Sequence, residues 1–185
     1  MERPYRIIIS GEGGQGVLSI AKIMAYAAWQ QGKKSLYVPY FSTEKRGGVS
    51  MAFAQIADGP IPFPKFNKAD IAVALSQRAV DRIIPYLHDD TVVITNSFLV
   101  KDTSPLAKWN PHEINATKIA KEDLKKPRTF NMIIMGAMLH FAPGLEKEGF
   151  EKALEKTFHK KYEKDASLRE MNEKAFSLGY DLIKQ

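Results

Sequence analysis

Two glycine-rich turns near the start of the chain hold the residue types best suited to chemistry. Gly11-Glu12-Gly13-Gly14-Gln15-Gly16 follows the apolar run Ile7-Ile8-Ile9, and Arg46-Gly47-Gly48 follows a second run from Leu36 to Phe41. The first turn spells Gly11-x-Gly13-x-x-Gly16, in which glycines permit a tight strand-to-helix turn and bring backbone N–H groups up to an anion. A dinucleotide site needs a second part, an acid about 20 residues on at the end of the next strand, for the ribose hydroxyls. Here that strand closes on Tyr40-Phe41-Ser42-Thr43, and the first acid, Glu44, stands beside Lys45 and Arg46. A P-loop fails as well, because Val17-Leu18 occupies the place of its Lys-Ser/Thr pair. Two roles then stand side by side for the loop: a cradle for a phosphate or carboxylate, and a turn that serves only close helix–sheet packing.

Elsewhere reactive groups are sparse. Cysteine is absent from the sequence, which excludes a disulfide framework, a catalytic thiolate and any cysteine-held zinc or iron–sulfur centre. His88, His112, His140 and His159 are scattered without a second ligand at metal spacing, so no metal site is expected. No Gly-x-Ser-x-Gly elbow supplies a hydrolase nucleophile. Met132, Met135 and Met138 recur every three residues, as interior packing does. No catalytic residue is assigned, and as an isolated enzyme the chain is poorly equipped.

The elements that must position the two turns follow from hydrophobic periodicity. Tyr5 to Ser10 reads as a buried strand, and the first turn opens a helix to about Gln31 with Val17, Ile20, Ala21, Met24 and Ala28 on one face. Gly32 ends that helix, and Ser35 to Phe41 completes a strand–helix–strand unit of the kind that makes a parallel pair. Val49 to Ile56, Ile71 to Leu75 and Thr91 to Thr95 read as further strands, with a short one near Glu113–Asn115. Gln77 to about Leu87 is helical, with Pro85 expected to kink or end it. A basic helix is expected near Thr117–Leu124, a helix apolar on almost all sides over Asn131–Phe141, and one or two charged amphipathic helices over residues 146–185. Strands alternating with helices predict an α/β fold: a three-layer, Rossmann-like domain with a mostly parallel sheet and C-terminal helices.

Composition narrows the function classes. A chain of 185 residues with 44% hydrophobic content is expected to form a single domain that needs no staple. No apolar run approaches the ~18 residues of a membrane span, and the first residues lead straight into a strand, so a cytoplasmic location is expected. Residues 145–185 balance their charges, so the net charge of +6 resides in residues 1–144, notably at Lys33, Lys34, Lys45, Arg46 and at Lys118, Lys121, Lys125, Lys126, Arg128. Such clusters are either solvated surface or a face for a phosphate-bearing ligand or acidic partner. Nucleic acid is not expected, since no aromatic interleaving or recognition motif accompanies them.

Several segments together resemble the gamma subunit, or gamma domain, of 2-oxoacid:ferredoxin oxidoreductases. The family's Gly-x-Gly-Gly-Gln-Gly-Val is matched by Gly11 to Val17, its Arg-Gly-Gly by Arg46-Gly47-Gly48, and its Asn-Met-x-x-x-Gly-Ala helix by Asn131-Met132 and Gly136-Ala137. A C-terminal Asn-x-x-Ala-Phe-x-x-Gly is matched by Asn172, Ala175, Phe176 and Gly179. Ser42-Thr43 stands where members commonly have Gly-Pro before the acid, here Glu44. The resemblance implies one gamma-type domain over residues 1–185 and an assembly that oxidatively decarboxylates a 2-oxoacid to acyl-CoA, passing electrons to ferredoxin. It also implies that thiamine diphosphate, the iron–sulfur cluster and CoA are held on or with partner subunits, a thiamine-binding catalytic chain and a ferredoxin-like chain. This chain would hold no cofactor by itself. The short, free-standing form points to 2-oxoglutarate as the acid. Gly11, Gly13, Gly14, Gln15 and Gly16 would then form an anion-binding or subunit-docking loop. Glu44, Arg46, Gly47 and Gly48 would form a partner-facing loop, and Asn131 a structural cap on the buried helix or a bond to the glycine loop. The alternative is a free-standing nucleotide- or anion-binding oxidoreductase of Rossmann-like fold.

Overall fold

The computed structural model of the chain describes residues 3–41 and 48–183. Among them, strands β1 (Tyr5–Glu12), β2 (Lys34–Tyr40), β3 (Val49–Ala57), β4 (Ile71–Ala74), β5 (Val92–Asn96) and β6 (His112–Ile114) form one sheet in the order β2-β3-β1-β4-β5-β6. The unbroken apolar runs of β1, β4 and β5 reflect burial on both faces. Ile7 and Ile9 belong to the core on one side of the sheet, and Ile8 to the core on the other.

β1, β4, β5 and β6 run parallel to one another, whereas β3 is antiparallel to both β1 and β2. The sheet is therefore mixed, and the expected strand–helix–strand pair is not adjacent. β1 and β2 run the same way, but β3 is inserted between them. Nine residues of β3 are long enough to pair along the whole of both neighbours, from Tyr5↔Ile56 to Glu12↔Val49 and from Lys34↔Ala57 to Tyr40↔Met51.

Helices cover both faces, giving three layers. α1 (Val17–Gln30), α4 (Phe130–Phe141), α5 (Lys147–Tyr162) and α6 (Ser167–Leu182) bury Ile20, Met24, Met135, Phe150 and Phe176 against one face. α2 (Gln77–Ile83) buries Ala79, Val80 and Ile83 against the other. α1 ends where Gly32 takes φ +78°, a left-handed conformation that glycine reaches without a Cβ clash. α2 gives way to a 3-10 turn over Ile84–Tyr86 around Pro85, whose missing N–H cannot continue the helix. The expected basic helix is a single α turn, α3 (Ala116–Lys118), running into a π turn over Ile119–Asp123 closed by Leu124 N–H to Ile119 C=O at 3.1 Å. That wider turn leaves Ala116, Ala120 and Leu124 buried together.

α4 is buried at every position from Met132 to Leu139. α6 crosses it backbone to backbone, because a Cβ on Gly136 would land on the Phe176 carbonyl oxygen and one on Gly179 on the Ile133 carbonyl oxygen. At the far end of the sheet, the buried carboxylate of Asp70 accepts from Arg3 Nη1 at 2.9 Å, Arg3 Nη2 at 2.5 Å and the Arg6 backbone N–H at 2.7 Å. This clamp fixes the start of β4 beside β1.

Candidate functional site

β1 and β4 lie side by side and parallel, yet β1 leads into α1 on one face of the sheet while β4 leads into α2 on the other. Their carboxyl ends therefore form a topological switch point, the place where open α/β sheets leave a crevice for ligands. The glycine loop occupies one wall. β1 continues through Gly11 to Glu12, so the turn proper is Gly13 to Gly16. The loop closes on itself through Gln15, whose Oε1 accepts the Glu12 N–H at 2.8 Å while its own N–H donates to the Glu12 carbonyl at 3.2 Å.

Each glycine of the loop has a separate physical reason. A Cβ on buried Gly11 would stand 2.5 Å from Gln15 Oε1, 2.9 Å from Val17 Cγ2 and 3.0 Å from Leu75 Cβ, so only glycine admits both the Gln15 side chain and Leu75, just past the end of β4. Gly14 and Gly16 have φ of +88° and +81°, where any other residue is strained. Gly13 and Gly14 are exposed, with open space where a Cβ would project. Gly16 is the N-cap of α1, so the first N–H groups of that helix, which have no partner within it, point out of the loop.

Asn131 comes to this loop from α4. Its Nδ2 lies 3.0 Å from where a Cβ of Gly16 would be, and its Oδ1 is buried without a hydrogen-bond partner. The N-cap of α4 is Thr129, so Asn131 stands inside the first turn, over the glycine loop, and not at the cap position. Gly48 is half-buried just before β3. Glu44, Arg46 and Gly47 lie outside the described residues.

Periodicity and spacing gave no hint of the floor of the crevice. Ser10, Ala74 and Thr95 are register partners across β1, β4 and β5, so they share one face, the one that Ala74 turns to the α2-side core. Ser10 and Thr95 are fully buried, and Ser76 nearly so. Ser10 Oγ donates to the Ser50 carbonyl at 3.3 Å, while the hydroxyls of Ser76 and Thr95 have no partner. Hydroxyl residues that close apolar runs, as Ser10, Ser76 and Thr95 do, are the sequence signal that could have found them. Next to them, buried Asn96 donates through Nδ2 to Thr117 Oγ1 at 2.8 Å, tying α3 to the end of β5.

This geometry disfavours a dinucleotide for a reason beyond the missing acid. In the dinucleotide fold the strand beside β1 ends next to the loop and offers the ribose its carboxylate. Here the neighbour on that side is antiparallel β3, and the residue opposite Glu12 is Val49. The donors present suit a negatively charged group or a partner's carbonyls. Among the described residues, no three of His, Cys, Asp and Glu gather as a metal-ligand set, and with no cysteine in the sequence an iron–sulfur cluster does not fit this chain. The basic residues Lys118, Lys121, Lys125, Lys126 and Arg128 are all exposed on the segment that leads into α4.

Comparison with known proteins bears on the whole chain. The family profile described as pyruvate ferredoxin/flavodoxin oxidoreductase matches residues 6–182. The chain is 35% identical over 181 residues to the 2-oxoglutarate synthase subunit KorC of Methanocaldococcus jannaschii, covering 97% of this chain and 94% of that one. It is 35% identical over 173 residues to the pyruvate/ketoisovalerate oxidoreductases common subunit gamma of Thermococcus kodakarensis, covering 89% of each. The crystal structure of a keto/oxoacid ferredoxin oxidoreductase gamma subunit from Geobacter sulfurreducens superposes with a TM-score of 0.80 at 30% identity, over 96% of each chain.

Proposed function

The chain belongs to the pyruvate ferredoxin/flavodoxin oxidoreductase family as a gamma-type subunit, and from that premise we propose that it supplies no reacting group and shapes an assembly whose chemistry lies on other chains. The observation that carries this reading is the absence of cysteine. Electrons leaving a decarboxylated 2-oxoacid for ferredoxin travel through iron–sulfur clusters, and this sequence has no thiolate to ligate one. The clusters therefore belong on a ferredoxin-like partner, and thiamine diphosphate, for which this sequence has no Gly-Asp-Gly motif, on a thiamine-binding chain, with CoA admitted to the same assembly. We read residues 1–185 as one gamma-type domain of a cytoplasmic complex, and 2-oxoglutarate as the acid, in keeping with the subunit named for it among the relatives.

Within that reading the two glycine turns are docking edges. Gln15 spends its side chain closing its own loop, so the contact offered outward is the exposed backbone of Gly13 and Gly14 and the N-terminus of α1. Arg46 would offer its planar fork of donors to a partner carboxylate, with Gly47 and Gly48 allowing close backbone approach. Co-expression with the thiamine- and cluster-bearing subunits tests the proposal, with turnover measured on 2-oxoglutarate, pyruvate and a branched-chain 2-oxoacid. The expected result is ferredoxin reduction by the complete set, fastest on 2-oxoglutarate, and none by this chain alone. Undiminished turnover without this chain would defeat the subunit reading, and preference for pyruvate would defeat the substrate assignment alone.

A further inference from the structure

We propose that the face of the β2–β3 hairpin turned away from α1 seats a different chain, through an apolar surface of that chain rimmed by carboxylates. Tyr37 packs into the α1-side core and Val38 into the opposite one. By the two-residue period of a strand, Leu36, Val38 and Tyr40 therefore share the α2 side of the sheet. α2 itself packs on β1, β4 and β3, and β2 is the outermost strand. What lies over this corner is the proline-rich segment after β3. The Gln55 side chain donates to the Phe63 carbonyl at 2.6 Å, Phe66 meets Phe53 edge-on at 5.3 Å, and Lys65 Nζ sits 5.4 Å above the Tyr40 ring.

Large apolar groups are left in solvent here. Tyr40 is 47% exposed and Phe63 71%. Around the strand edge, Trp29 shares a groove of about 400 Å³ with Leu36, Pro60 and Ile61. Tyr40 and Phe63 are thus two large exposed hydrophobic side chains joined on this face by the segment that carries Lys65 over the Tyr40 ring, and an exposed apolar patch marks an interaction surface.

Charge and edge chemistry choose the occupant. Lys34, Lys65 and Lys68 rim the patch and are exposed, while the carboxylate of Asp58 is engaged by Lys33 at 2.8 Å. A second copy would bring lysines against lysines. Addition of a strand along β2 is discouraged by Pro39, which lacks an N–H, and by Lys34 at the strand's start. The remaining fit is a face-on contact with an acidic-rimmed apolar surface of another subunit, which rests on the reading of this chain as part of an assembly.

Binding of the full chain to its co-expressed partner subunits tests this, comparing wild type with Tyr40→Ser/Phe63→Ser, with Lys34→Glu/Lys65→Glu, and with a control on α5, Lys160→Ser. The altered side chains are exposed, and thermal unfolding of each variant checks that the fold is kept. The expected result is roughly tenfold or weaker binding for the apolar pair, as for exposed aromatic anchors of an interface. The charge-reversed pair should bind more slowly with a smaller salt dependence, and the control should match wild type. Wild-type affinity in both patch variants would overturn the surface while leaving the subunit reading intact. Self-association of the isolated chain that the apolar pair abolishes would overturn the choice of occupant. A wild-type chain that binds no partner subunit would overturn both.

Discussion

Replacing Gly179 by alanine sets two physical effects against each other, and the structure decides the sign. Gly179 lies in α6, where alanine is intrinsically better than glycine by about 1 kcal/mol. On propensity alone the variant gains stability. The Cβ, however, would land on the Ile133 carbonyl oxygen and lie 2.8 Å from the Ile133 Cα, backbone atoms that cannot swing aside as a flexible side chain would. Gly136 faces the same obstacle from the other helix, with the Phe176 carbonyl oxygen in the way and Tyr180 N at 2.8 Å. α4 is buried almost all round, so α6 must move outward from it, losing contacts of Phe176 with the core. Overpacking a close contact costs about 3 kcal/mol at the upper end of its usual range, leaving a net loss of about 2 kcal/mol after the propensity gain. For a domain of this size that lowers Tm by about 4–8 °C, read by calorimetry or circular dichroism. Gly59→Ala is the control: a Cβ there meets nothing within 4 Å, and its Tm should stay within about 2 °C of wild type. A Gly179→Ala protein as stable as wild type, or more so, would refute the backbone-to-backbone crossing.

Further outcomes follow from the same geometry. Gly11→Ala should push the Gln15 amide off the Glu12 N–H and cost about 1–2 kcal/mol in urea unfolding, whereas Gln15→Leu, which loses only that hydrogen bond, should cost about 1 kcal/mol. Asp70→Ala strands the Arg6 N–H and should cost about 2 kcal/mol. A double-mutant cycle with Arg3→Ala should assign less than about 1 kcal/mol to the ion pair, because the Arg3 side chain is 57% exposed. His112 is held below the usual histidine pKa by burial and then by the neighbouring charge of His140. The unfolded chain takes up that proton first, so stability should be flat above about pH 6.5 and fall as pH drops below it. His112→Asn should flatten that part of a Tm-against-pH curve, and an unchanged curve would dismiss His112 as its source.

Much of the fold was legible because the apolar runs are local. Tyr5–Ser10, Ile71–Leu75 and Thr91–Thr95 mark strands to within a residue or two, and the α1 face from Val17 to Ala28 is the buried one. The insertion of β3 between β1 and β2 was not legible, since strand order depends on which long-range pairing wins and no local spacing encodes it. The consequence reaches the site, where Val49 replaces the end of a parallel neighbour beside the loop. Gly136 and Gly179 stood out only as parts of a resemblance, and the crossing of α4 and α6 supplies their physical reason. Asn131 lies beside Gly16 of the glycine loop, and its distance from the N-cap depends on where Thr129 starts the helix. The hydroxyl residues that close two apolar runs, Thr95 in β5 and Ser76 just past β4, are a local signal for that floor, but their burial without partners depends on the long-range packing of the sheet.

Isolating the native complex and separating its chains tests whether this chain is a structural member of an assembly whose redox groups lie elsewhere. Iron and thiamine diphosphate are then measured on each chain. This chain should enter in fixed ratio with a thiamine-bearing and a cysteine-rich partner and carry neither group itself. Isolation of the chain alone from its native source, or iron retained stoichiometrically on it after separation, would rule out this structural role.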